Sequence, residues 1–340
     1  MIIHCPLNQK TASMLNMFAA AGAEEFYLGY RNAGISKEDC FNRRFGGQIN
    51  FDSVESALAV CENAGRIGAK TFVAINELFY PESWHDALID DVKKLSAGGV
   101  FGFIVSDINL IIKLKKADSG LFIVLSSTAH VMNAKAAAFY RGLGVDRIVL
   151  PRQLSPGEII KIASGSKDCG FELIVTNEEC PYLEGVCSYC HFPGEESPNI
   201  CRQATLYNHL PVGFGYSLDS CGVCALYSLR DRKDFVLKIA GRGLGGDLIL
   251  KDIRFLKSVV EIIDESETEE EYGRKCAESH KETFGERCGR KCYYSVGRMP
   301  DLNVTGETAR PQMVQGVVKW TSSLSYDNLS EDVSGEGGGN

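Results

Sequence analysis

No apolar run in the 340 residues approaches the length of a membrane span. The first residues, MIIHCPLNQKTAS, lack the basic start and long apolar centre of a secretory signal. These two absences set the expectation of a cytoplasmic protein with no membrane span. Positive charge is not in excess either: 36 Lys and Arg against 44 Asp and Glu leave a net charge of −8. The chain therefore has no general attraction for polyanions, and DNA is not expected as a partner. Several cofactor motifs are missing. There is no CxxxCxxC triple of the radical S-adenosylmethionine type and no GxGxxG behind the first strand-like run, and GRGLGG at 241–246 has no Walker lysine at the required spacing. Six histidines are present, none in a nucleophile-and-base context legible in the sequence.

Cysteine, by contrast, is plentiful, with 13 in the chain. Under cytoplasmic reductants these are expected to be metal ligands, reactive thiols or core residues rather than disulfides. They crowd most in ECPYLEGVCSYCHFPGEESPNICR, which holds Cys180, Cys187, Cys190 and Cys201 directly behind the apolar run 171–175; a CGVC pair, Cys221 and Cys224, follows. A loop rich in Pro, Gly and Glu offers thiols no core to hide in, so the group reads as a soft-metal site. Four thiolates select zinc or an iron–sulfur cluster over hard cations. Pairing CSYC at 187–190 with CGVC at 221–224 satisfies a zinc ribbon but leaves Cys180 and Cys201 over. Irregular spacing suits an iron–sulfur core, whose bulk reaches ligands on separate loops, and zinc stays as the alternative metal. Cys5, Cys61 and Cys169 lie in strand or helix patterns and are expected to be small buried apolar residues. Cys276, Cys288 and Cys292, with His280 nearby, stand open between a second site, a cap on the first and a structural role.

A repeated unit organises the first 240 residues: an amphipathic stretch, a Gly/Ala-rich turn, then four to six apolar residues ending in polar ones. AAGAEEFYLGY, RIGAKTFVAIN, AGGVFGFIVSD and LGVDRIVLPR are copies, each reading as helix, tight turn and buried parallel strand. With IIHCPL, LFIVLSS, FELIVTN and FVLKIAGR the strand candidates number eight, which suggests a closed barrel, with a doubly wound sheet as the alternative. The expected fold is α/β, a TIM-like (β/α) barrel with a C-terminal cysteine-containing extension. Its expected parts are the barrel with the cysteine loop over 1–246, a helical, cysteine-containing extension over 247–325 and a disordered Gly-rich tail over 326–340. Barrel chemistry sits on the loops that follow the strands. That places Arg31 and the loop of Cys40 after the second strand, Asn76 and Glu77 after the third, and Asp107 after the fourth. Ser126 and Ser127 follow the fifth, Arg152 the sixth, Cys180 the seventh and Arg242 the eighth, so the cysteine loop and the arginines share one mouth.

These residues resemble the collagenase-like proteins of peptidase family U-32. Cys180, Cys187 and the later Cys201-Arg202 pair match the family's signature behind a barrel strand. The runs CPLNQKTASMLNMFAAAGAEEFYLGY, RIVLPRQLSPGEI and LKIAGRG extend the match to roughly residues 1–245. The resemblance implies a barrel-like domain and a [4Fe-4S] cluster on four cysteines. Cys180, Cys187 and Cys201 would supply three, with Cys221, Cys224, Cys190 and Cys40 competing for the fourth in that order. Cys40, followed by FNRR, resembles a ligand in the smaller partner of a ubiquinone hydroxylation pair, which also raises a homologous partner subunit. Family members look like oxygen-independent hydroxylation factors for ubiquinone precursors, transfer RNA or ribosomal RNA, several with prephenate as oxygen donor, and others are linked to collagen degradation. The implied function is iron–sulfur-supported, oxygen-independent hydroxylation of a small molecule or RNA. The alternatives are a structural-cluster assembly partner and a collagenase-like hydrolase. Prephenate is a dicarboxylate, and a site for it wants guanidinium forks. Arg152 and Arg242 are the candidates, with Asn76 to orient the ligand; loop-fixing salt bridges and a helix cap are the competing structural roles. Ala240 stands where the family motif carries Glu, which removes a carboxylate from that position.

Overall fold

The structure is a computed structural model that describes residues 1–32, 34–35, 42, 48–166, 168–178, 180, 183–186, 205–207, 210–212, 220–285, 288 and 292–294. In chain order the strands begin with β1 (Ile2–Pro6), β2 (Glu25–Leu28), β3 (Lys70–Ile75), β4 (Gly102–Val105) and β5 (Phe122–Leu125). They continue with β6 (Arg147–Leu150), β7 (Gly170–Thr176), a short antiparallel hairpin of β8 (Thr205–Tyr207) and β9 (Leu210–Val212), and β10 (Val236–Ile239). All but the hairpin pair in parallel and close into a barrel in the order β1-β10-β7-β6-β5-β4-β3-β2. The seam is β1 against β10, with Ile2 opposite Val236 and His4 opposite Lys238. Each barrel strand coincides with one of the eight apolar runs, so the chain forms the expected TIM-like barrel. Runs such as Phe122–Leu125 are apolar throughout because a parallel strand here is covered on both faces.

Eight helices accompany the strands among the described residues: α1 (Leu15–Ala21), α2 (Val54–Arg66), α3 (His85–Ala97), α4 (Ile108–Ala117), α5 (Ala134–Gly142), α6 (Pro156–Ser164), α7 (Gly246–Glu265) and α8 (Glu269–Phe284). The Gly/Ala turn of the repeat is one device used four times. Gly22, Gly68, Gly99 and Gly144 have φ of 118°, 75°, 92° and 92° and turn the chain from helix to strand in the left-handed region. Helix starts are equally legible: Ser53 and Ser155 form capping boxes, and Asp107 and Asn133 accept from the first turns of α4 and α5. Asp107 is thereby committed to a cap and to the Tyr80 amide at 2.7 Å.

Between β7 and β10 the crossover contains a 3-10 turn, Val223–Leu229, packed against α6, α7 and α8. Helix α7 packs on α1 and β1 and buries Ile249, Ile253, Leu256 and Val259. It therefore continues the barrel, so residue 246 is the start of a barrel helix, and Met1–Arg298 form one compact unit. The tail expected over 326–340 lies outside the described residues.

Cys5, Cys61 and Cys169 are buried at 0%, 3% and 6% exposure, and burial pushes the Cys61 and Cys169 thiols up to about 11. Inside the barrel, toward the strands' N-terminal ends, lies a group of charges. Arg147 forks onto Glu25 at 2.5 and 3.0 Å and reaches Glu172 at 3.3 Å. Lys238 Nζ donates to Glu172 at 2.6 Å, and His4 Nδ1 lies 3.2 Å from the same carboxylate. Burial holds His4 below its usual value. Burial alone would raise Glu172, but Lys238, His4 and Arg147 outweigh it and hold its carboxyl well below the usual range. Two cations thus balance two anions, which is what makes so buried a set tolerable.

Candidate functional site

At the C-terminal mouth, β7 ends at Thr176 and the next two residues, Asn177 and Glu178, both take left-handed conformations, with φ of 63° and 55°. Each such non-glycine residue costs on the order of 1–3 kcal/mol, with Asn among the most tolerant. The surroundings hold the turn. Asn177 Nδ2 donates to Asp252 Oδ2 of α7 at 2.7 Å, its backbone amide donates to Ser220 O at 2.8 Å, and its carbonyl accepts from the Tyr293 hydroxyl. The doubled turn swings the chain off the barrel to Cys180, which is half-buried, while the Cys180 carbonyl accepts from Gln153 at 3.4 Å.

The returning chain crosses the same strand end. Thr176 and Cys221 form an antiparallel bridge, and the Gly222 amide donates to Val175 O at 2.8 Å. Cys180 and Cys221 therefore both sit at the end of β7, and Cys224 lies in the 3-10 turn that follows. The donors are thiols, the chemistry a soft metal group takes. Cys187, Cys190, Cys201 and Cys40, with Arg43, Arg44 and Arg202, lie outside the described residues. Among the described residues no three His, Cys, Asp or Glu side chains are posed to hold an ion.

Arg152 and Arg242 are both 8% exposed or less, and both are engaged by the protein. Arg152 Nη1 donates to Glu184 Oε1 at 2.7 Å, its amide donates to Glu184 Oε2 at 3.1 Å, and its guanidinium lies over the Tyr293 ring at 5.2 Å. Burial would lower its pKa, but Glu184 beside it reverses the sign and raises it. Glu184 belongs to the cysteine loop, so Arg152 meets that loop as expected, through a carboxylate that also accepts from Ser127 at 2.6 Å. Arg242 faces the loop after β2 instead, donating to Asn50 Oδ1 at 3.1 Å and to Asn42 O at 2.7 Å. Gly29 leaves the room: a Cβ there would stand 1.9 Å from Arg242 Nη1.

Asn76 lies across the mouth in a hydroxyl-rich patch. Its Nδ2 donates to Ser126 Oγ at 3.4 Å, Ser106 and Thr128 hydroxyls are 2.6 Å apart, and Thr128 donates to Ser126 at 3.0 Å. Asn76 Oδ1 and Arg152 Nε are buried and have no hydrogen-bond partner among the described residues. An unmet acceptor and an unmet donor are what a polar ligand would satisfy.

Four contributors were not foreseen: Glu184, Asp252, Tyr293 and Tyr294. The Tyr294 amide donates to Arg152 O at 2.9 Å and its hydroxyl to Ile174 O at 3.0 Å, so a segment far along the chain is built into the mouth. The one sequence signal was the position of both tyrosines directly behind Cys292.

The chain is 26% identical over 213 residues to tRNA hydroxylation protein P1 of Bacillus subtilis, covering 62% of this chain and 46% of that protein. It is 24% identical over 192 residues to tRNA hydroxylation protein P of Escherichia coli, covering 56% and 40%. The chain thus spans less than half the length of these curated relatives. Among solved structures, the U32 peptidase Mk0906 aligns with 14% identity and a TM-score of 0.43 over 71% of this chain and 93% of that one. The profile of Peptidase family U32 matches residues 10–298, nearly the whole described chain, and the protein belongs to that family.

Proposed function

We propose that this chain is an iron–sulfur protein supporting oxygen-independent hydroxylation of RNA. The observation that carries the reading is the strained turn at Asn177 and Glu178, which leads from the end of β7 to Cys180 at the barrel mouth, while Cys221 is bridged to the last residue of the same strand. Strain of this kind is kept where a side chain must be aimed. The relatives named as tRNA hydroxylation proteins supply the substrate class. In this reading Cys180, Cys187 and Cys201 hold a [4Fe-4S] cluster, with the fourth donor among Cys221, Cys224, Cys190 and Cys40. When bound, the cluster supplies redox-active iron at the mouth.

The chain's own groups bind and orient. Arg152 Nε offers a donor and Asn76 Oδ1 an acceptor to a polar ligand. The Ser106, Ser126 and Thr128 hydroxyls lie beside Asn76. An organic hydroxyl donor such as prephenate keeps the overall exchange balanced, because its hydroxyl passes to the substrate carbon and a hydrogen passes back. Its carboxylate would meet Arg152 already paired with Glu184, so Glu184 is the group that must give way. The peptidase reading draws no support from this mouth: Ser127 bonds Glu184, and His130 Nδ1 bonds the Glu184 carbonyl at 2.7 Å.

The test is anaerobic purification with iron and sulfide analysis, joined to mass spectrometry of tRNA nucleosides from a strain lacking the gene. Bound iron and sulfide, with loss of a hydroxylated nucleoside, are expected. A folded protein devoid of iron, or an unchanged nucleoside profile, refutes the reading; iron with an unchanged profile moves the protein to the class of assembly partners.

A further inference from the structure

Three polar residues line one wall of the barrel mouth. Asn76, Ser106 and Ser126 are each the first residue beyond β3, β4 and β5, and the parallel register, Ile75 opposite Val105 and Val105 opposite Leu125, sets them level. They form a row. Inside the barrel the Arg147 guanidinium lies over the Phe72 and Phe122 rings at 5.0 and 5.5 Å, so side-chain alternation aims residues 74 and 76, and 124 and 126, inward as well. The contacts agree. β3 and β5 are two strands apart, roughly 10 Å, yet Asn76 Nδ2 reaches Ser126 Oγ at 3.4 Å. Both side chains therefore lean over β4 and into the mouth, and beneath them Ala74, Ile104 and Val124 make a buried apolar floor.

One donor and one acceptor are left over once the protons of this row are placed. Ser126 Oγ accepts from Asn76 Nδ2, from the Thr128 hydroxyl at 3.0 Å and from the Thr128 amide at 3.5 Å, and its own proton meets no acceptor among the described residues. Ser106 keeps its proton inside the row, on Asn76 O at 3.2 Å or on Thr128 Oγ1 at 2.6 Å. Asn76 Oδ1 is buried and likewise unmet among the described residues. An acceptor and, beside it, a donor thus face the mouth, where each left empty costs on the order of 1–3 kcal/mol. The row itself has no cation, and the residues that follow Asn76 and Ser106, Glu77 and Asp107, are buried carboxyls. A carboxylate finds no partner here.

We propose that this row is the nucleobase subsite of the hydroxylation reaction: Asn76 Oδ1 accepts from, and Ser126 Oγ donates to, the polar edge of one RNA base drawn out of its stack into the barrel mouth. The inference rests on the RNA-hydroxylation reading above and assigns residues to it. A Watson–Crick edge sets a donor next to an acceptor without net charge, and enzymes that act on a base hold it unstacked and read that edge by hydrogen bonds. The apolar floor suits the body of the ring. In the barrel order β7 lies four strands from β3, on the far side of eight, so a base held by the row faces the strand end that leads to Cys180 and is bridged to Cys221. Asn76 and Ser126 are positioning residues in this scheme. Arg152, beyond β6, is left to the anionic hydroxyl donor.

The test returns the wild-type gene, Asn76→Ala and Ser126→Ala to a strain lacking the gene and reads hydroxylated tRNA nucleosides by mass spectrometry. Each variant is expected to lower the hydroxylated nucleoside by about tenfold or more. The full-length variant chains, purified anaerobically, should keep the Tm, iron content and prephenate affinity of the wild type. Because an alanine at a strand end can also loosen the mouth, the wild-type chain is followed by hydrogen exchange. Total tRNA from the deletion strain should slow amide exchange at 76–80 and 126–130, and prephenate alone should leave it unchanged. A wild-type gene that restores no hydroxylated nucleoside refutes the RNA reading and this subsite with it. With the wild type active, three results overturn the subsite alone and leave the RNA reading standing: variants as active as wild type, prephenate affinity lost while Tm and iron are kept, or no protection of the two segments by tRNA.

Discussion

Asp252 offers the sharpest test of how the turn before Cys180 is held. It lies on α7, 2% exposed, and among the described residues its side chain accepts one hydrogen bond, from Asn177 Nδ2 at 2.7 Å. Burial raises its pKa from 3.8 to about 7, with the Asn177 bond opposing. The folded chain therefore holds this proton more tightly than the unfolded chain. The stability it contributes is fully present below about pH 4 and is lost as pH rises through about 7. A shift of that size corresponds to roughly 4 kcal/mol at most, at about 1.4 kcal/mol per unit, and relaxation or water entry reduces it. Asp252→Asn keeps an acceptor for Asn177 and removes the titration. Its extra amide donor adds a pH-independent offset of about 1–2 kcal/mol. The measurement is reversible urea unfolding of both proteins, in the same metal state, from about pH 4.5 to 8. The variant should gain on the wild type by about 2–4 kcal/mol across that range, other titrations cancelling in the difference. A difference that stays flat with pH refutes the buried, ionisable role of Asp252.

Gly29→Ala places a methyl 1.9 Å from Arg242 Nη1 and 2.4 Å from Asn50 Oδ1, and is expected to cost about 2–3 kcal/mol, read as a lowered Tm; an unchanged Tm argues that the Arg242 lock is dispensable. Arg147→Met strands Glu25 inside the barrel, while Glu172 keeps Lys238, and should cost about 3–5 kcal/mol in urea unfolding, with adding Glu25→Gln restoring part of it; a cost below about 1 kcal/mol would show that water reaches these groups. Tyr293→Phe deletes the hydroxyl that bonds Asn177 O and should cost about 1 kcal/mol while speeding amide exchange at Glu178 and Cys180; exchange equal to the wild type would separate Tyr293 from the turn.

The barrel was open to reading because its signals are local. Four helix-to-strand turns each place a glycine at positive φ, and each adjoining strand carries a short apolar run, FYL, FVAI, FIV and IVL. The crossover to β10 was less legible, since VCALYSL has the apolar content of a helix yet forms a 3-10 turn wedged among α6, α7 and α8. Arg152 and Arg242 were correctly assigned to strand ends, but the sequence does not say which partner takes a guanidinium; Glu184 and Asn42 do so through folds of two different loops. The Glu25, Arg147, Glu172 and Lys238 group stayed hidden for a related reason. A strand covered on both faces gives no alternation to mark which side chains point inward.

The hydrogen bond from Tyr293 to Asn177 spans 116 residues of chain. At synthesis rates of roughly 5–20 residues per second, Tyr293 leaves the ribosome on the order of ten seconds after Asn177. The barrel strands can all have emerged and paired before it appears, since β10 ends at Ile239. The cysteine-bearing mouth is then the last part of the described chain to be completed, and whatever it holds is best loaded into a barrel that has already closed.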